Sequence, residues 1–140
     1  MTALPEGSFR KVIPILRVED LAKSVKWYKE VLGFQGGEID GTVSSVYRGL
    51  KAEMNIYLLQ ADEENPVRRA EVMLMVEPEL QEHQNEVGPG LALKAWWDQI
   101  KDTVKVTVPL ERKPWGWYMF DIEDPDGHRL GFFQHGPDED

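Results

Sequence analysis

The sequence predicts a single α+β domain, residues 1–140, that is built from two similar βαβββ modules. One observation is that the order of one strand, one helix and three strands can be traced twice along the chain. Another is that aromatic pairs lie at the same place in the two predicted helices, at Trp27-Tyr28 and Trp96-Trp97. A chain of 140 residues also fits one domain better than two independent cores.

Module one covers residues 10–61 and begins with an apolar, β-branched strand at 12–18. Asp20 follows as a helix N-cap, and apolar residues then recur at helical spacing. Gly33 supplies the left-handed residue that ends such a helix. Short glycine-bearing connections, which suit antiparallel hairpins, separate three further strands at residues 34–39, 43–47 and 54–59.

Module two covers residues 68–135 and follows a polar linker at 62–67. The turn sequence Asp124-Pro125-Asp126-Gly127 separates its last two strands. We interpret residues 78–90 as a surface insertion and residues 136–140 as a mobile tail. The predicted elements of module two are a strand at 72–76, a helix at 91–101 and strands at 104–108, 117–122 and 130–134.

Composition and charge argue against several classes of protein. No apolar run approaches the ~20 residues of a membrane span, and no basic segment leads into an apolar stretch as in a secretory signal. Without cysteine, disulfides and cysteine-ligated zinc are excluded. We therefore expect a cytoplasmic protein. The formal charge of −9 argues against nucleic-acid binding, and it is compatible with simple solubility or with a cationic ligand.

Two motifs, one in each module, together carry a family resemblance. The first comprises residues 16–21, Ser24, 27–28 and 32–34, and the second comprises residues 114–116, Phe120, 124–127 and 130–132. They resemble the vicinal-oxygen-chelate superfamily of glyoxalases, extradiol dioxygenases and bleomycin-resistance proteins, and they are most similar to its metal-free bleomycin-resistance branch. The resemblance runs from about residue 12 to residue 134. It implies curved mixed sheets around a cavity, helices outside, and a two-fold homodimer.

Metal-dependent members of this superfamily hold a divalent ion on four inward-facing residues, usually His and Glu. The resemblance places the first-strand ligand at Ile13 and the last-strand ligand at Gly131, and neither residue has a ligating side chain. The other two positions fall on Glu71 and on Asn55, where the alignment can slip by two residues. We therefore expect neither a metal nor another cofactor.

Histidine does not supply the missing ligands. We expect the three histidines on separate surfaces, in structural or solvated roles, and no nucleophile-elbow motif accompanies them. These residues are His83 in the insertion, His128 after the turn and His135 before the tail.

Aromatic residues and the last strand supply the candidate ligand-binding residues. Trp115 and Trp117 flank a glycine; Trp115 is the better candidate for stacking on a flat ligand, and packing is the favoured role of Trp117. Arg129, Gly131 and Phe133 share one face of the last strand by period two, and the resemblance puts Gly131 in the cavity. Glycine there opens room for a bulky guest. Further candidates from module one are Phe34, Tyr47 and Tyr57.

Two functions from different classes follow. The leading hypothesis is metal-independent binding and sequestration of a small planar or cationic molecule, as in bleomycin resistance, with no catalytic residue. The alternative is a lyase, isomerase or dioxygenase, which either uses a metal or uses Glu71 or Asp121 as a base. A purely structural or interaction module is a third reading, and it leaves the cavity unused.

Overall fold

Two four-stranded mixed sheets form the framework of the computed structural model, which describes residues 3–77 and 91–135. The predicted insertion at 78–90 and tail at 136–140 lie outside the described residues. In the first half, a short 3-10 turn (Glu6–Ser8) precedes β1 (Ile15–Val18), α1 (Leu21–Glu30), β2 (Gln35–Asp40), β3 (Val43–Arg48) and β4 (Met54–Gln60). The second half contains β5 (Glu71–Met75), α2 (Leu91–Ile100), β6 (Lys105–Arg112), β7 (Tyr118–Glu123) and β8 (Arg129–Gln134).

Both sheets have the same strand order, which confirms the predicted α+β class and its two βαβββ modules. The first sheet runs β1-β4-β3-β2 and the second runs β5-β8-β7-β6. In each sheet the first and last strands of the module pair in parallel, while the other pairs are antiparallel. Within the described part of the chain, no helix is long and apolar enough to cross a membrane.

Helix α1 begins and ends where the sequence predicts. The Asp20 side chain accepts a hydrogen bond from the Lys23 amide at 3.1 Å, so it caps the first turn. Leu21, Val25 and Tyr28 are buried against the sheet, and Gly33 takes a φ of +69° just after the helix. The capping residue, the apolar stripe and the stop glycine therefore all agree with the predicted helix.

Two strand boundaries differ from the prediction by more than one residue. Strand β1 starts at Ile15 rather than at Val12, which is 92% exposed. Pro14 has no amide to donate, and the ladder with β4 begins one residue later, where Ile15 pairs with Tyr57. Strand β6 continues to Arg112 because it follows the whole length of β7, with irregular register around Pro109.

Each sheet has one face in the core and one open face. Along β1 and β4 the buried residues alternate with more exposed ones, since successive side chains point to opposite faces. The same alternation holds for Phe120 and Ile122 of β7. The core faces of both sheets pack with the two helices into one cluster, so the modules share a core.

His128 joins the two modules and corrects the surface position expected from the sequence. Its side chain is fully buried. Nδ1 accepts a hydrogen bond from the Ala70 amide at 3.0 Å, so Nε2 carries the proton and donates to the Arg17 carbonyl at 2.7 Å. His135 pairs with Glu77 at 3.0 Å. The prediction for His83 lies outside the described residues.

Candidate functional site

The open face of the second sheet brings together four of the predicted site residues. Strand β8 lies between β5 and β7, so Gly131 is flanked by Met73 on one side and Asp121 on the other. Paired residues of neighbouring strands share a face. By this register the face consists of Glu71, Met73, Met75, Met119, Asp121, Glu123, Arg129, Gly131 and Phe133.

A stack of two aromatic rings lies at one end of this face. The rings of Trp117 and Phe133 are 5.0 Å apart and 15° from parallel, and His135 lies against Trp117 at 4.6 Å. Trp117 is therefore packed against both neighbouring rings and is only partly exposed. Trp115 lies two residues earlier, in the turn between β6 and β7, and its side chain is 61% exposed. Of the two candidate tryptophans, Trp115 is thus the one with an exposed ring.

Asp121 occupies part of the space that Gly131 leaves. A Cβ atom on Gly131 would stand only 3.0 Å from the Asp121 Oδ1 atom. The glycine therefore makes room for a carboxylate of the same sheet. Partial burial raises the pKa of Asp121, the positive charges of Arg129 and Lys113 oppose this rise, and Glu71 adds to it.

Arg129 and Glu71 face each other at the other end of the face. Their register pairs them across β5 and β8, and Arg129 Nη1 lies 3.6 Å from Glu71 Oε1. Both side chains are substantially exposed, so water and salt weaken this ion pair. Arg129 is therefore a rim residue of the candidate site.

The three candidates from module one lie elsewhere. Tyr57 pairs with Ile15 and Ser45, and Tyr47 pairs with Asn55, so both tyrosines lie on the open face of the first sheet. Phe34 is almost fully buried and contacts Tyr28 edge to face at 5.7 Å. The structure therefore divides the predicted set between two sheet faces and the core.

A groove of about 620 Å³ runs between the modules. Strand β5 forms one wall, and Met73 and Met75 belong both to this wall and to the open face of the second sheet. On another wall the Arg48 guanidinium lies 5.1 Å from the centre of the Trp96 ring and donates to the Leu32 carbonyl at 3.0 Å. Phe34 also borders this groove.

The internal repeat shows which residues of the two modules are equivalent, and this assigns the chelating position on the fourth strand. Gln60 accepts a hydrogen bond from the Leu21 amide at 3.0 Å, and Gln134 accepts one from the Leu93 amide at 3.0 Å. Each glutamine ends its strand and binds the first turn of the helix in its own module, so the two are equivalent. Three residues earlier, Tyr57 is the counterpart of Gly131. By this internal equivalence the fourth-strand position falls on Tyr57, which is the slip of two residues from Asn55 that the sequence alignment leaves open.

The residues at the four chelating positions do not fit a metal ion. They are Ile13, Tyr57, Glu71 and Gly131, and only Glu71 has a carboxylate, which faces Arg129. The Asn55 amide donates to Ser45 Oγ at 2.9 Å. Across residues 3–77 and 91–135, no group of three or more His, Cys, Asp or Glu side chains is arranged to hold an ion. A divalent cation needs several such oxygen or nitrogen ligands.

The family model described as the glyoxalase/bleomycin resistance protein/dioxygenase superfamily matches residues 11–132. This chain belongs to that superfamily. The match covers both modules, including the two motifs that carry the resemblance in the sequence. A search of curated proteins finds no match.

Solved structures of this superfamily share the fold at low sequence identity. A glyoxalase-related enzyme from Clostridium phytofermentans is 20% identical, with a TM-score of 0.66 over 91% of this chain and 95% of that one. Lactoylglutathione lyase from Agrobacterium tumefaciens is 17% identical, with a TM-score of 0.64 over 88% and 92%. The bleomycin-binding protein of Streptomyces verticillus is 16% identical, with a TM-score of 0.65 over 93% and 98%.

The structure adds three methionines to the residues predicted from the sequence. Met73, Met75 and Met119 surround Phe133 on the open face. Methionine makes favourable contacts with aromatic rings and adapts its shape to a guest. In the sequence, period-two alternation predicts which face of β5 or β7 each methionine lies on. Only the pairing of both strands with β8 shows that the three methionines come together.

Proposed function

We propose that this superfamily member binds and sequesters a planar, cationic small molecule without a metal. The observation that supports this most is the pair of Gly131 and Asp121 on a face that also carries the Trp117–Phe133 stack. Glycine replaces a chelating residue, and a carboxylate stands beside it. The site therefore offers aromatic surface and negative charge where metal-dependent relatives hold an ion.

The forces at this site suit such a ligand. An offset aromatic contact contributes about 0.5–1.5 kcal/mol beyond the area it buries. The charge of −9 adds attraction for a cation, which affects selectivity and association rate more than affinity. The bleomycin-binding protein of the same fold is solved with copper(II)-bleomycin, so we take bleomycin-type drugs as the first ligands to test and antibiotic resistance as the biological role.

A titration followed by tryptophan emission tests this function. The native protein, treated with a chelator, should bind a bleomycin-type drug saturably, because no metal takes part. Trp115→Ala should weaken binding by about 1–3 kcal/mol, since it removes the exposed ring beside the packed pair. Phe9→Ala is the matched control, because Phe9 is an exposed aromatic residue near the N-terminus.

Two results would contradict the proposal. One is a folded Trp115→Ala protein, checked by its melting temperature, that binds like the native protein. The other is binding that disappears on chelator treatment and returns with one metal ion per chain. Recovery of a chemically altered drug would instead favour a lyase, isomerase or dioxygenase activity, with Asp121 and Glu71 the first carboxylates to replace.

A further inference from the structure

We infer that Asp121 is the residue that selects a cationic ligand over a neutral one of the same shape. This inference rests on the proposed function, because it names the group in the same site that recognises the charge. Asp121 is half-buried on the open face of the second sheet, directly across from Gly131. Its carboxylate lies over the backbone of β8, where any side chain at position 131 would displace it.

Among the described residues, the Asp121 carboxylate has no direct partner, because the positive charges near it lie against other carboxylates. Arg129 lies against Glu71, and the Lys113 ammonium forms its salt bridge with Glu111. In the part of the chain that the structure describes, no hydrogen bond or salt bridge reaches Asp121. A carboxylate that is partly withdrawn from water and unpaired gains more from an arriving cation than one that already has a partner.

The surroundings of Asp121 define the shape of the molecule it selects. Phe133 lies two residues beyond Gly131 on the same face, which corresponds to about 7 Å along a strand. Met73 and Met119 flank this interval from the neighbouring strands. A ligand with a flat ring at the Trp117–Phe133 stack, in which Phe133 itself is almost buried, and a positive charge about 7 Å away, or within the ring system itself, fits this arrangement.

A pair of matched probes tests Asp121 apart from the site as a whole. N-methylacridinium carries a permanent charge, and acridine has the same shape and is uncharged at mildly alkaline pH. Calorimetric titration of the native protein should give tighter binding of the cation. Asp121→Asn should weaken N-methylacridinium about tenfold and leave acridine within about twofold. Glu38→Gln is the control, because it removes the same charge from an exposed residue of β2, in the first sheet.

The pH dependence supplies a second test that needs only the native protein. Because burial raises the pKa of Asp121, its negative charge is lost at a higher pH than that of an ordinary aspartate, and affinity for the permanent cation should fall as the pH is lowered through that titration. The other charged groups that face Asp121 are Arg129, Lys113 and Glu71. The Asp121→Asn protein should show a flatter pH profile than the native protein, and the Glu38→Gln protein should keep the native profile.

The outcomes separate the inference from the function on which it rests. Binding of both probes with equal affinity, unchanged by Asp121→Asn, would overturn the role of Asp121 and leave the aromatic binding site in place. Loss of both probes in a folded Asp121→Asn protein would also overturn it, because the residue would then shape the site rather than select charge. If neither probe binds the native protein, the proposed function fails and the inference fails with it.

Discussion

Tyr28 and Asp124 form a buried hydrogen bond between the two modules. The Tyr28 hydroxyl donates to Asp124 Oδ2 at 2.8 Å, while the amides of Asp126 and His128 donate to Oδ1, each at 2.9 Å. Burial, together with the negative charge of Asp124, raises the pKa of Tyr28 well above its usual value. Burial also raises the pKa of Asp124, although the hydrogen bonds oppose this. The tyrosine hydroxyl therefore stays protonated and serves as a permanent donor.

Removing that donor should destabilise the fold. Tyr28→Phe leaves one oxygen of a buried carboxylate without its partner, so we expect the free energy of unfolding to fall by about 1–3 kcal/mol. Denaturant titration of both proteins measures the difference. Tyr47→Phe, which removes a hydroxyl from the open face of the first sheet, should change stability by less than about 0.5 kcal/mol. Equal stability of Tyr28→Phe and the native protein would contradict this role.

At the residue scale, the sequence predicts which residues share a face of a strand better than it predicts which residues are buried. Period-two alternation places Arg129, Gly131 and Phe133 on one face, and the structure agrees. It does not show that Phe34 enters the core, where it packs against Tyr28, or that His128 is buried, which follows from its bond to the Arg17 carbonyl of the other module. The same limit applies to Asp121, whose position over Gly131 depends on the register of β7 against β8.

The two modules stabilise the first turns of their helices in the same way. Gln60 at the end of β4 and Gln134 at the end of β8 each accept from an amide in the first turn of a helix. Such amides have no partner within the helix, so a side-chain acceptor stabilises the helix start. Gln60 also donates to the Glu19 carbonyl at 2.7 Å. Module one therefore ties its helix to its sheet through two bonds from one side chain.

Replacing these two glutamines tests whether they have the same stabilising role in the two modules. Gln134→Ala should lower the free energy of unfolding by about 1 kcal/mol, since it removes one acceptor for a helix-start amide. Gln60→Ala should cost more, because it also removes the bond to Glu19. Gln35→Ala, on an exposed residue of β2, is the control for thermal or chemical unfolding. Loss of stability at only one of the two equivalent positions would contradict the shared role.

Element positions follow from the sequence because local signals fix them. Asp20, the apolar spacing of α1 and Gly33 are all local, and the structure agrees with each of them. Strand ends depend on the partner strand instead. Strand β1 starts only where β4 is available, and β6 extends as far as β7 runs beside it. The sheet order is likewise non-local: the periodicity does not contain it, and the family resemblance implied only that the sheets are curved and mixed.

Over the whole molecule, apolar side chains remain exposed on both open faces. Ile15 is 57% exposed on the first sheet, and Met73 is 56% exposed on the second. Tyr57 and Met75 are exposed beside them. Burial of such surface contributes about 25 cal/mol per Å², so covering these faces with a second copy of the chain is favourable. We therefore expect the homodimer that the family resemblance implies.

Sedimentation at micromolar concentration tests the dimer and its location. The native protein should have about twice the chain mass of 16.1 kDa, since a two-fold pair is the commonest closed assembly. Met73→Glu places a charge on the open face and should shift the protein toward monomer. Leu50→Glu is the control, because Leu50 is more exposed and lies in the turn between β3 and β4, away from that face.

The dimer also bears on the ligand site, because Met73 belongs both to the expected interface and to the candidate site. A dimer that covers the open faces would enclose the space above Gly131, and a ligand bound there would contact both copies. The bleomycin-type drug should then stabilise the dimer, since a ligand shifts an equilibrium toward the state it binds better. A native protein that sediments as a monomer at all micromolar concentrations, with and without the drug, would contradict both expectations.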